Sequence, residues 1–177
     1  MDFDQVVRYC PRCGSGDFAA TSARSFLCGG CGFHFHINAA TAVVGIVADH
    51  EGRVLLIRRA RDPGKGKFSV PGGFVDADET AEAALAREMR EEVGLELTSC
   101  TYLCSCPNAY AYKGVVFPVL DLAFVCTVRS LEVREDADEV GGYTLRRPAE
   151  VDLDGIAFPS VRRALELFRN QQAQHAG

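Results

Sequence analysis

The segment Gly72 to Leu95, GGFVDADETAEAALAREMREEVGL, constrains this chain more than any other. It opens on a Gly-Gly pair after Pro71. It then enters an Ala-rich stretch that reads as a helix from about Glu79 to Val93. Asp78 or Thr80 is the expected N-cap, and Gly94 the expected left-handed stop. Glu88, Glu91 and Glu92 recur at i, i+3 and i+4. At about 3.6 residues per turn they share one arc of about 100°. Carboxylates so close repel each other, and a cation among them relieves the repulsion. Hard oxygen ligands of this kind suit Mg²⁺ or Mn²⁺. Leu85, Met89 and Val93 form an apolar stripe beside the acids, so the helix can dock on a core while its carboxylates face a cleft. The bland alternative is a solvated acidic face.

The spacing decides against that alternative. Gly73, Glu79, Arg87, Glu88, Met89, Glu91, Glu92, Gly94 and Leu95 resemble the signature of the Nudix hydrolase family at every fixed position. The resemblance implies an α/β fold, an α/β/α sandwich on a mixed β-sheet. It also implies metal-dependent hydrolysis of a nucleoside diphosphate linked to another moiety, by water attack on phosphorus. By the same resemblance Glu88, Glu91 and Glu92 are the Mg²⁺ or Mn²⁺ ligands, and Arg87 and Glu79 are an orienting pair. An acidic residue from a later loop joins such sites, which makes Glu139 a candidate metal ligand or base, with Asp138 behind it.

Ahead of this region stand two CxxC pairs, Cys10–Cys13 and Cys28–Cys31, each followed by glycine, Gly14 and Gly32. Four thiolates at this spacing read as a closed, structural Zn²⁺ site. So short a segment has too little core to fold without the metal. His34 and His36 alternate with Phe33, Phe35 and Ile37, and read as one face of a strand rather than as ligands. The domains expected are a zinc ribbon over 1–37 and a hydrolase domain over 38–177. A zinc ribbon ahead of the Nudix signature resembles the NADH pyrophosphatase subgroup. Where that subgroup carries SQPWPFPxS, this chain reads CSCPNAYAYKG and has no tryptophan. The implied substrates are therefore ADP-ribose, NADH or other NDP-sugar types.

Thr41–Ala48 and Arg53–Arg59 are apolar runs around the turn Asp49–Gly52 and read as a β-hairpin. A basic, glycine-bearing loop follows, in which Arg58, Arg59 and Lys67 are candidates for substrate phosphate. After the acidic helix, Glu96–Leu103 reads as a strand broken at Cys104–Asn108. The segment 108–114 then reads as an aromatic loop whose Tyr110 or Tyr112 can stack on a base or nicotinamide ring. Cys100, Cys104, Cys106 and Cys126 read as ordinary thiols. An amphipathic helix from about Ser160 to Gln172 is expected near the end, with a fraying tail.

The formal charge of −5 argues against a broad basic surface for nucleic acid. NAD-capped RNA remains the one nucleic-acid partner the resemblance implies, and a homodimer the oligomer it implies. No apolar run approaches the roughly 20 residues that cross a bilayer. The start MDFDQVVRYC shows no signal-peptide pattern, so a cytoplasmic address is expected. The competing function is a nucleotide-sensing regulatory module whose ribbon contacts nucleic acid or protein. The intact set of carboxylates argues for the enzyme.

Overall fold

The computed structural model describes residues 3–175. Two compact units emerge. One holds the chain up to Ala39 together with Ala109–Pro118. The other holds Ala40–Asn108 with the chain from Val119 onward.

In the first unit a short helix α1 (Phe3–Val6) precedes three strands: β1 (Phe18–Ser22), β2 (Ser25–Cys28) and β3 (His34–His36). They form an antiparallel sheet in the order β1-β2-β3. Each CxxC closes a tight turn. Gly14 N donates to Cys10 O at 2.8 Å, and Gly32 N donates to Cys28 O at 2.9 Å. Both glycines are left-handed, with φ of 73° and 69°, which is why glycine follows each pair. The four Sγ atoms lie within 4.8 Å of one another. A small core of stacked Phe18 and Phe26, with Phe35 beside them, lies under the turns. His34 and His36 stand on the exposed side of β3, where His36 Nδ1 meets Ser25 Oγ at 2.9 Å.

The second unit is a sandwich. Strand β4 (Ala40–Val47) runs parallel to β8 (Val115–Val128), from Ala40 opposite Val119 to Val47 opposite Cys126. β8 also neighbours β7 (Leu97–Tyr112). A second sheet has the order β6-β5-β9, with β6 (Phe68–Ser69), β5 (Val54–Arg59) and β9 (Val140–Arg146). Side-chain alternation splits the interior in two. Val43, Val47, Leu55, Ile57 and Phe124 face helix α2 (Ala81–Val93), meeting Leu85, Met89 and Val93. Val44, Ile46, Val54, Leu56 and Ala123 face helix α3 (Pro159–His175), meeting Val161, Leu165 and Phe168. Covered on both faces, β4 reads as a nearly unbroken apolar run.

Two expectations need correction. The runs around Asp49–Gly52 do turn there, with the Asp49 carboxylate gathering the N–H groups of Glu51 and Arg53. Beyond one bridge, Ala48 to Val54, they part into different sheets rather than forming a hairpin. The reason is that both edges of β4 are taken. β8 occupies one, and the segment 71–75 occupies the other, through Val43 N to Gly73 O at 2.8 Å, Gly45 N to Pro71 O at 2.9 Å and Val75 N to Thr41 O at 3.0 Å.

The expected break at Cys104–Asn108 and the loop over 108–114 are also absent. β7 runs on through Tyr110 and Tyr112 and turns only at Lys113-Gly114. β7 ends the strand order, so Pro107, which has no N–H, need not interrupt the ladder. Helix α3 extends past its expected stop at Gln172, and the last two residues of the tail lie outside the described residues. Among the described residues no helix is long and apolar enough to cross a membrane.

Helix α2 lies close on β4 because residue 45 is glycine. A Cβ there would sit 2.1 Å from Met89 Cε and 3.1 Å from Leu85 Cδ1. Gly45→Val is expected to destabilise the chain by about 1–3 kcal/mol through overpacking, read from urea unfolding. An unchanged midpoint would mean that α2 does not rest on β4 at this position.

Candidate active site

The acidic helix starts where its N-terminal N–H groups find an acceptor. Of the two expected caps Thr80 is the one used. It is extended, with φ −82° and ψ 160°, and its Oγ1 accepts from Ala83 N at 3.1 Å. Asp78 instead sits in the left-handed region at φ 65°. The helix ends at Gly94, left-handed at φ 68°, whose N–H donates to Arg90 O at 3.1 Å.

Arg87 gathers the approach loop and the acids into one network. Its Nε donates to Glu79 Oε1 at 3.1 Å and its Nη2 to Glu79 Oε2 at 3.0 Å. Nη2 also reaches Phe74 O at 3.0 Å. Nη1 reaches Glu88 Oε1 at 2.8 Å and Glu91 Oε2 at 3.1 Å. The fork to Glu79 therefore clamps loop 72–79 onto the helix, and the remaining arm separates two carboxylates. Arg87 hydrogen bonds hold Glu79 below its ordinary pKa. Glu79 first, then Glu88, hold Arg87 above its own ordinary value.

Glu92 lies on the inner side of the network and is 6% exposed. Gly72 N donates to its Oε2 at 2.9 Å. Burial pushes its pKa up to about 8, against the Gly72 N–H, and the charges of Glu88 and Glu139 add to the rise while Arg59 opposes it. Burial also raises Glu88, against Arg87. Two glycines let the loop come this close. A Cβ on Gly72, at φ 147°, would lie 2.0 Å from Val43 O, and one on Gly73 would lie 2.3 Å from Glu88 Oε1.

The other expected residues are distributed unevenly. Glu139 lies near enough for its charge to add to the raised pKa of both Glu88 and Glu92. Arg59 also acts on Glu92, but it is engaged elsewhere: its Nε donates to Pro63 O at 2.8 Å and its guanidinium lies 4.9 Å over the Phe158 ring. Arg58 is exposed and lies over Phe68 at 5.1 Å, and Lys67 is exposed. Tyr110 and Tyr112 stand in the first unit, with Lys113 Nζ 5.2 Å over the Tyr112 ring. Sequence reasoning did not single out Arg61, whose Nη1 meets Glu139 Oε1 at 3.2 Å, nor the Gly72 N–H under Glu92. The first was visible only as one base in a basic loop. The second is a main-chain group and leaves no trace in residue type.

Among the described residues only the four cysteines bring their ligand atoms within 4.8 Å of one another; Glu88, Glu91 and Glu92 suit a divalent cation by the chemistry of their donors. The donor set is all carboxylate oxygen, and the buried Glu92 resists ionising without a nearby positive charge. The cysteines fit zinc. A tetrahedron of Zn–S bonds near 2.3 Å has S···S edges of about 3.8 Å. Cys10 and Cys31 Sγ are 3.8 Å apart, and Cys13 and Cys28 Sγ 3.6 Å.

The NUDIX domain family matches residues 38–168. An ADP-ribose pyrophosphatase of Methanocaldococcus jannaschii is 44% identical over 126 residues, which is 69% of this chain and 72% of that protein. An NAD-capped RNA hydrolase NudC of Vibrio vulnificus is 28% identical over 77% of this chain, which spans only 49% of that protein. The crystal structure of a NUDIX hydrolase from Nitrosomonas europaea shares the fold, with a TM-score of 0.71 at 20% identity over 95% of this chain and 93% of that one.

The buried acids set a pH dependence. With its pKa raised, the folded chain binds more protons than the unfolded chain between the ordinary Glu value, about 4.3, and about 8. The stability this contributes is full below the ordinary value and is lost as pH rises through the folded one. In buffer without Mg²⁺ or Mn²⁺, the melting midpoint is expected to fall between about pH 6 and pH 8.5, and Glu92→Gln to flatten that fall. Parallel curves for the two proteins would show that Glu92 is not the group responsible.

Proposed function

The chain belongs to the Nudix hydrolase family, and on that premise we propose that it hydrolyses the pyrophosphate bond of a nucleoside diphosphate linked to a second moiety. The observation that carries this reading is the Arg87 network, which holds Glu88 and Glu91 on the same helix that carries the buried Glu92 under the Gly72 N–H. ADP-ribose is the first substrate proposed, supported by the Methanocaldococcus jannaschii relative. NADH and other NDP-sugar types come next, and NAD-capped RNA is raised by the NudC relatives.

Glu88, Glu91 and Glu92 would hold Mg²⁺ or Mn²⁺, which when bound offsets phosphate charge and lowers the pKa of a water molecule. Arg87 keeps Glu88 and Glu91 apart and oriented, and Glu79 keeps Arg87 in place. Arg58 and Lys67, exposed on the basic segment, attract the diphosphate. Glu139 is proposed as the base that takes the proton of the attacking water. Water adds to phosphorus, the bridging P–O bond breaks, and two phosphomonoesters leave, AMP and ribose 5-phosphate from ADP-ribose. Cys10, Cys13, Cys28 and Cys31 are proposed to hold structural Zn²⁺.

Glu91→Gln and Glu92→Gln are each expected to cut kcat for ADP-ribose by at least about 10²-fold, equivalent to about 2.7 kcal/mol or more of transition-state stabilisation. The measurement is product-resolved turnover with Mg²⁺ and Mn²⁺ across ADP-ribose, NADH, NAD⁺ and NDP-sugars. Unchanged turnover in both variants would sink the assignment of these acids.

For the ribbon, metal analysis of the purified chain is expected to find one zinc per molecule. Cys13→Ser should lose it and melt the first unit at a lower temperature than the rest. Full folding of that unit in the presence of a strong chelator would remove zinc from the reading.

A further inference from the structure

The proposed mechanism leaves Arg61 without a role, although it stands just beyond the end of β5. Its Nη1 meets Glu139 Oε1 at 3.2 Å and its Nη2 lies 3.8 Å from Asp138 Oδ2. The main chain beside it ties down the same loop, because Ala60 N donates to Glu139 O at 2.9 Å. The loop's other end is pinned to the acidic helix. Asp136 N donates to Glu92 O at 3.0 Å, and Asp136 O receives Glu139 N at 3.0 Å. Glu139 is thus suspended between the end of β5 and the end of α2, and its charge is felt by Glu88 and Glu92.

The ion pair that holds it is weak. The Arg61 side chain is 59% exposed and that of Glu139 45%, a setting in which solvent screens most of the attraction. A guanidinium offers five N–H donors in a planar fork, which matches the paired oxygens and higher charge of a diphosphate better than one exposed carboxylate. We infer that Arg61 is an exchange residue: it holds Glu139 in the free chain and passes to the diphosphate when substrate arrives, freeing the Glu139 carboxylate beside the acidic centre. Anion binding and release of the proposed base are then one event. Arg61 is a ligand for phosphate and a positioning residue for Glu139. The inference rests on reading the acidic centre as a diphosphate site.

The test is the affinity of the full chain for inorganic pyrophosphate with Mg²⁺, by titration calorimetry. The proteins are wild type, Arg61→Gln, Glu139→Gln and the double variant, with circular dichroism confirming that each is folded. Glu139→Gln removes the competitor and is expected to tighten binding by about threefold or more. Arg61→Gln should weaken it about tenfold, and Arg61→Lys should recover part of that loss. In the Arg61→Gln background, Glu139→Gln should leave affinity nearly unchanged. An equal gain in both backgrounds overturns the exchange, as does weaker binding on Glu139→Gln or no pyrophosphate binding by wild type. Turnover of ADP-ribose, NADH, NAD⁺ and NDP-sugars is measured on the same samples. The expected binding cycle with no turnover of any of them sinks the hydrolase reading and leaves the exchange standing. Turnover with independent effects sinks the exchange alone.

Discussion

The contact between α2 and β4 sets every other distance at the acidic centre. Gly45 has no side chain on the face that α2 covers, so Met89 and Leu85 rest on the strand's backbone. Segment 71–75 runs along the adjacent edge of the same strand, held by main-chain hydrogen bonds to Thr41, Val43 and Gly45. Helix and loop are therefore referenced to one strand, and that strand is clamped by β8 on its other edge and by α3 on its other face. A buried strand gripped on four sides moves little, because interiors are close-packed. This is how the Gly72 N–H comes to meet Glu92 at hydrogen-bond distance with no side chain between them.

The electrostatics follow from that rigidity. Left to themselves, Glu88, Glu91 and Glu92 would spread apart, since like charges one turn apart destabilise a helix. Arg87 answers part of the charge with bonds to Glu79, Glu88 and Glu91. It does not reach Glu92. Burying a carboxylate without a full counter-charge is costly, and the group responds by holding its proton. Arg87 thus neutralises what is needed to keep the helix folded and leaves a deficit at the one acid the loop covers. Local rules are broken where a ligand is meant to make them good.

Legibility in the sequence tracked the range of the interaction. The helix, its Thr80 and Gly94 ends and its acidic arc come from contacts within a few residues, and spacing reveals them. The glycine after each CxxC is equally local. The β4–β5 hairpin was misread because competition for β4's edges comes from Val119–Cys126 and from segment 71–75, which a local pattern does not show. The break at Pro107 was misread for a related reason. Proline's effect on a strand depends on whether its missing N–H faces a partner, and only the strand order places β7 at the end. The polar, aromatic pattern around Tyr110 and Tyr112 reads as a loop, whereas the strand β7 continues through both into the first unit. At the site, Glu88, Glu91, Glu92, Arg87 and Glu79 were readable because they lie on one helix and its approach. Arg61 depends on a partner far along the chain.

The cysteine cluster and the acidic helix face are held in place in different ways. The four cysteines sit on two tight turns whose geometry is fixed by their own hydrogen bonds and by left-handed glycines, so the thiols converge whether or not charge is balanced. The helix acids are carboxyl groups on flexible stems, held by the protein donors Arg87 and Gly72 N. The cysteines are placed by backbone turns, and the acids by side-chain contacts that a ligand can replace. The exposed Glu139–Arg61 pair belongs to the second kind, because a contact that solvent screens to near zero is one a ligand can replace.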